Sequence, residues 1–169
     1  MYIITNASLT DLPLIYQLFD EAIAFQKENN FIGWQTYDKA FIQDDINKGL
    51  LYKIVAENNI VGIFTVYYSD LLIWRQMEKQ DAIYLHRIVL NRKFKNIKIF
   101  KEVLDWATRQ CHRLHLKYIR MDTWAGNAKL IAYYQSFGFR FIENFTTSAT
   151  EKLPLQHRNL NVALLQFKL

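Results

Sequence analysis

The stretch from Ile83 to Trp124 constrains this chain more than any other part of its 169 residues. It opens with Ile83–Leu90, which is apolar over most of its length and therefore reads as a central strand of a sheet. Ile99, Phe100, Val103, Leu104, Ala107, Cys111 and Leu114 then recur at the 3.6-residue period of a helix that buries one face. Tyr118–Trp124 reads as a second strand. The remaining elements must complete the sheet around this unit and cover it.

Those elements are legible from local signals. Tyr2–Thr5 is a short β-branched and aromatic strand. Thr10 is expected to cap a helix, with Asp11 favourable at the positive end of its dipole and Pro13 tolerated in the first turn. Leu12, Ile15, Leu18, Phe19, Ala22 and Ile23 give that helix an apolar face up to about Phe25. Phe31–Tyr37 breaks the pattern, and a second helix runs from Asp38 to Lys48, stopping at Gly49. Tyr52–Ala56 and Val61–Tyr67 flank Asn58-Asn59, a tight hairpin. Ser69–Gln80 reads as a loop with a short helix, Ala128–Phe137 as a helix, and Phe139–Phe145 and Asn161–Leu169 as strands. Helices interrupt the strands without regular alternation. The fold class is therefore α/β of the α+β type: one domain over residues 1–169, built on a mixed, mostly antiparallel twisted sheet of about seven strands flanked by helices.

Composition narrows the functional classes. With 51% hydrophobic and 15% aromatic residues the chain can fill a core, which argues against disorder. A net charge of +5 suits an anionic ligand but is too dispersed for nucleic-acid binding. Cys111 is the single cysteine, so no internal disulfide forms and a reducing compartment is expected. The first residues lack the pattern of a secretion signal, and no apolar run approaches the roughly 20 residues of a membrane span. The expectation is a cytoplasmic protein without a membrane partner. Cys111, His112 and His115 lack metal-ligand spacing, and no metal is assigned.

Three pieces in fixed order carry a family resemblance: YLHRIVLNRKFK at Tyr84–Lys95, YIRMDTW at Tyr118–Trp124, and Asn127 through Tyr134 to Gly138-Phe139. Together they resemble the GNAT superfamily of N-acetyltransferases, and with the preceding helices and hairpin the likeness covers essentially the whole chain. The resemblance implies transfer of an acetyl group from acetyl-CoA, as co-substrate, to a primary amine of a small molecule or peptide, by direct attack in a ternary complex. It implies that the main chain of Ile88, Val89 and Leu90 pairs with the pantetheine arm and that Asn127 bonds it. The loop and helix start at Lys95, Asn96, Ile97, Lys98, Ile99 and Phe100 would take the pyrophosphate. Tyr134, four residues before Gly-Phe, would protonate the departing thiolate. A homodimer is left open.

The family's loop is Arg or Gln, two residues, Gly, one residue, then Gly or Ala. Here lysine stands at the first glycine, Lys98, and phenylalanine at the second, Phe100. One reading is that Phe100 turns inward with its helix face, leaving the N–H groups free while Lys95 and Lys98 add charge. The other is a non-catalytic ligand-binding or dimerisation module with a degenerate loop.

Bland readings stand beside the sharp ones. Tyr134 fits a packed tyrosine as well as a proton donor. His86 is either a satisfied structural residue or a base near the thioester, and alternation would put it on one face with Ile88 while Arg87 joins Val89. Asp122 is the alternative base. Trp34, in the break between the first two helices, and Trp124, at a strand end, are each substrate-binding aromatics or core residues. Cys111 reads as core.

Overall fold

The computed structural model describes residues 2–94 and 98–169. The expected positions Lys95, Asn96 and Ile97 lie outside the described residues. Seven strands form one sheet: β1 (Ile3–Asn6), β2 (Leu51–Ala56), β3 (Asn59–Tyr67), β4 (Ala82–Leu90), β5 (Tyr118–Trp124), β6 (Arg140–Thr146) and β7 (Asn161–Lys168), in the order β1-β2-β3-β4-β5-β7-β6. Neighbours are antiparallel except β4 and β5, which are parallel because α4 (Ile99–Leu114) crosses between them.

Local chemistry sets the helix ends. α1 (Leu12–Glu28) is entered through a 3-10 turn at Leu9–Asp11. Ser8, not Thr10, starts it: the Ser8 N–H and hydroxyl donate to Asp11 at 2.8 and 2.9 Å, the reciprocal spacing of a capping box. α2 (Lys39–Asn47) is capped by the Asp38 carboxylate, which accepts from the N–H groups of Ala40 and Phe41, and the chain leaves it at Gly49 with φ of 67°. The hairpin turns on Glu57 and Asn58, both at positive φ, one residue earlier than expected, and Asn59 already pairs with Ala56. α3 (Leu71–Trp74) is the short helix of the Ser69–Gln80 segment, and α5 (Ala128–Gln135) ends two residues before the expected Phe137.

The sheet is covered on both faces. On one face α4 and α5 pack over Ile83, Leu85, Ile119 and Met121, with Phe100, Val103 and Ala107 buried beneath them. On the other, α1 and α2 bury Ile15, Leu18, Phe19 and Ile42 against Leu51, Ile63 and Val89, while Trp74, Tyr84 and Leu164 form a further cluster. Each large apolar side chain so buried contributes about 1.5–3 kcal/mol. Cys111 is fully buried, its Sγ donates to the Tyr118 carbonyl at 3.6 Å, and burial pushes the thiol up to about 11. It is core, as expected.

Two departures from regularity shape the middle of the sheet. First, β4 and β5 pair only from Ala82 opposite Tyr118 to Leu85 opposite Met121. Beyond that β4 stays with β3 to Leu90 and β5 with β7 to Trp124, so the sheet splits into a V. Second, Ile63 lies opposite Val89 but Thr65 lies opposite His86, so Arg87 and Ile88 together face Phe64. Arg87 takes a φ of 48° in this bulge. His86 and Arg87 therefore both project to the α1–α2 side, where they reach Asp70 and Asp45. The expected pairing of His86 with Ile88 on one face is thus incorrect. Ile88 packs with Leu90 under α4, and Val89 joins the α1–α2 core. Among the described residues, no helix is long and apolar enough to cross a membrane.

Candidate active site

The V between β4 and β5 is a cleft of about 430 Å³. Because the strands part there, it passes through the sheet and has two differently furnished ends. On the α4–α5 side its walls are Ile88, Leu90, Leu130, Tyr133 and Tyr134. On the α1–α2 side they are Phe25, Phe31, Ile32, Trp34 and Trp124, with Asp122, His86 and His157 at the narrow end. From His86 to Leu90 the side of β4 facing β5 has no strand partner among the described residues, so its main chain can pair with an extended ligand.

His86 sits at the fork with its side chain 3% exposed. Its Nε2 lies 3.1 Å from Asp70 and its Nδ1 3.4 Å from Asp122. Burial opposes the imidazolium, but Asp70 and then Asp122 outweigh it and raise the pKa above the ordinary histidine value. Asp122 is pushed up to about 6 by burial, which the positive charge of His86 only partly offsets. His157, its ring 5.9 Å from that of His86, is held well below the ordinary value by burial and by the charges of Arg87 and His86. These environments raise the pKa of Asp122 and of His86 and lower that of His157 at one end of the cleft. Asp70, His86 and Asp122 are the one group among the described residues close enough to share a cation. The two carboxylates flank opposite nitrogens of one ring and face it as charged neighbours.

A second buried network fixes the bulge. The Arg87 guanidinium bonds Asp45 of α2 and the Tyr67 hydroxyl, and Tyr67 donates to Asp45 at 2.8 Å. Burial raises the Asp45 pKa despite Arg87, while Arg87 is held above its ordinary value because Tyr67 and Asp45 outweigh its own burial.

Tyr134 lies across the cleft on α5, 9% exposed, and burial raises its pKa, so it holds its proton at neutral pH. Phe100 is 3% exposed and packs behind it, ring centroids 4.8 Å apart, with Phe137 at 4.9 Å and Phe139 at 6.0 Å. The substituted glycine position is therefore filled by a ring that points into the core. Ile99 beside it reaches over Gly62, where a Cβ would come within 2.6 Å of its terminal methyl. Lys98 is exposed at the start of α4, and among the described residues no side chain caps that helix end.

The remaining expected residues divide between roles. Asn127 caps α5, accepting from the Leu130 N–H at 3.1 Å, and its Nδ2 donates to the Ile32 carbonyl at 3.4 Å. Trp34 packs on Phe19 and, edge-on, on Trp124 at 5.6 Å while also lining the cleft, so both tryptophans join core to cleft wall. Ile88 and Leu90 line the α4–α5 end, and Val89 turns to the other side. Asp45, Asp70, Arg87 and His157 were not expected. A carboxylate at Asp45 on the apolar face of α2 was the one visible signal. Asp70 lies in the least patterned segment and His157 in a loop, where no periodicity marks a residue.

The structure thus brings together a split mixed sheet with an open central edge, a tyrosine on one side and a carboxylate–imidazole pair on the other. The sequence profile of the Acetyltransferase (GNAT) family matches residues 15–139, and the chain belongs to that family. It is 25% identical over 105 residues to the uncharacterized N-acetyltransferase YesJ of Bacillus subtilis strain 168, a match spanning 60% of this chain and 58% of that protein. Among solved structures, a GNAT-family acetyltransferase from Listeria monocytogenes 4b F2365 superposes with a TM-score of 0.79 at 22% identity, covering 99% of this chain and 95% of that one. The PaiA N-acetyltransferase of Thermoplasma acidophilum in complex with coenzyme A superposes at 0.67 with 13% identity, over 100% and 99% of the two chains.

Proposed function

We propose that this chain is an N-acetyltransferase that moves an acetyl group from acetyl-CoA to a primary amine by direct attack. The observation that carries the reading is the unpaired edge of β4 lying between Tyr134 and the Asp122–His86 pair, in a cleft open through both faces of the sheet. The residues present fit an acyl-CoA: an open strand edge for the amide-bearing arm, an apolar α4–α5 end, and a helix start whose glycine substitute is turned away. When bound, acetyl-CoA supplies an activated acyl carbon and a good leaving group.

The chain's own groups then divide the work. Asp122, held in place by His86, takes a proton from the ammonium group, and the free amine reaches the acyl carbon from the α1–α2 side. A main-chain N–H of β4 beyond the bulge stabilises the negative charge that develops on the acyl oxygen. Tyr134 gives its proton to the sulfur as the carbon–sulfur bond breaks and the carbon–nitrogen bond forms. The ammonium loses two protons in all. One replaces the Tyr134 proton given to sulfur and one leaves to solvent.

The inward position of Phe100 supports this reading over that of a non-catalytic module. Calorimetric titration with acetyl-CoA, followed by thiol-release assays on a panel of primary amines, tests the proposal. Binding and turnover are expected, and Tyr134→Phe should lower kcat by roughly 10²–10⁴-fold while changing acetyl-CoA affinity by less than about threefold. No binding at millimolar acetyl-CoA overturns it.

A further inference from the structure

We infer that the acceptor is a small arylalkylamine: one primary ammonium group carried on a short arm from an aromatic ring. The inference rests on the transferase reading and deepens it.

The α1–α2 end of the cleft is walled by aromatic rings. Trp34 and Trp124 meet edge to face at 5.6 Å, and Phe25 and Phe31 lie edge to face at 5.7 Å. Such a wall rewards burial of a flat ring and gains little from a polar acceptor. It is also pre-formed. The Trp34 N–H donates to Gln26 Oε1 at 3.0 Å, and the Asn127 amide donates to the Ile32 carbonyl. A Cβ at Gly33 would strike the Gln26 side chain, and one at Gly126 would come within 2.9 Å of Ile32. The roof therefore needs little ordering when a ligand enters.

Charge sets how many ammonium groups the site accepts. Asp122 is the one carboxylate among the described residues lining the cleft. It sits at the inner end, where the acyl carbon must be met. Arg92, stacked over the Phe25 ring, and Lys129 stand on the lining with positive charge, and Arg87 is already matched to Asp45. A polyamine would find one partner for its reacting end and cations around the rest. A single ammonium avoids that conflict.

Size fixes the arm. The full cleft of about 430 Å³ lies near the lower end of ligand sites and must hold the thioester end as well. What remains suits one ring system with a short alkyl arm. Phe31 and Ile32 at the outer lip are 47% and 49% exposed, so a substituent on the ring can reach solvent.

The test compares 2-phenylethylamine and tryptamine with n-butylamine and spermidine as acceptors, by thiol release from acetyl-CoA. In parallel, calorimetry measures tryptamine binding to the protein saturated with coenzyme A. The aryl amines are expected to exceed n-butylamine in kcat/KM by at least about tenfold, the burial value of one ring, and spermidine should fall below it. Phe31→Ser, at the exposed lip, and Trp124→Leu, which keeps the wall apolar, should each lower the aryl-to-butyl ratio severalfold and weaken tryptamine binding. A spermidine preference, or an aryl-to-butyl ratio unchanged in both variants, overturns the inference. If no amine is acetylated, the transferase reading fails. Tryptamine binding that weakens in both variants then still supports the aromatic site, and its absence overturns that too.

Discussion

Replacing Phe100 by alanine separates the two ways in which the family's lost glycine could be tolerated. The ring is 3% exposed and lies within 6.0 Å, centroid to centroid, of Tyr133, Tyr134, Phe137 and Phe139. Removing it leaves a cavity between α4 and α5 that these rings can only partly close, because each is held by its own backbone. A buried Phe→Ala change costs about 3–5 kcal/mol, and in a domain of this size each kcal/mol lowers Tm by about 2–4 °C. Thermal unfolding of the ligand-free protein should therefore show a Tm lower by about 6–20 °C. Calorimetric affinity for acetyl-CoA should stay within about threefold of wild type, since the side chain points away from the helix start. Phe100→Gly should behave alike. The reasoning fails if either variant binds acetyl-CoA about tenfold more tightly with Tm almost unchanged, because the ring would then stand in the path of the phosphates.

Two further outcomes follow from the buried charges. Asp45→Ala strands the Arg87 guanidinium at the bulge and should cost about 3–5 kcal/mol in chemical denaturation, whereas the double change Asp45→Leu with Arg87→Met should recover most of it. Asp122, pushed up to about 6, acts as a base only when ionised, so kcat at saturating acceptor should rise through pH 6 and that limb should vanish in Asp122→Asn. The stability sign is opposite: because the folded carboxyl holds its proton above the ordinary carboxyl value of 3.8, this contribution is full below that pH and lost as pH rises through about 6. Asp122→Asn should accordingly unfold no more easily than wild type at pH 8, as thermal melts across that range will show.

Much of the architecture was written in local pattern. The apolar run at Ile83–Leu90, the helical period of Ile99–Leu114 and the Gly49 stop fix elements whose stability depends on neighbours a few residues away, and they appear where the periodicity puts them. The cap at Ser8 and the hairpin at Glu57-Asn58 were displaced by one or two residues. Several polar residues compete to satisfy the same orphan groups there, and only the closed backbone decides among them. Tyr134 was nameable through the family resemblance, four residues before Gly138-Phe139, and Asp122 because it follows the apolar start of its strand.

Sequence by itself thus determined most of the elements and the class of sheet, and through the family resemblance it named candidates for the chemistry. What the tertiary structure decided is which of them meet. Asp45 and Arg87 are 42 residues apart in the chain, and a bulge places His86 and Arg87 on one face where strict alternation would separate them. The direction of Phe100 is likewise settled by the rings of α5 and of the turn that follows it, not by its own helix. Periodicity records how a residue is disposed along its own element. Contacts across the sheet depend on register and on where pairing stops, and here pairing stops at Leu85 and Met121, opening the cleft.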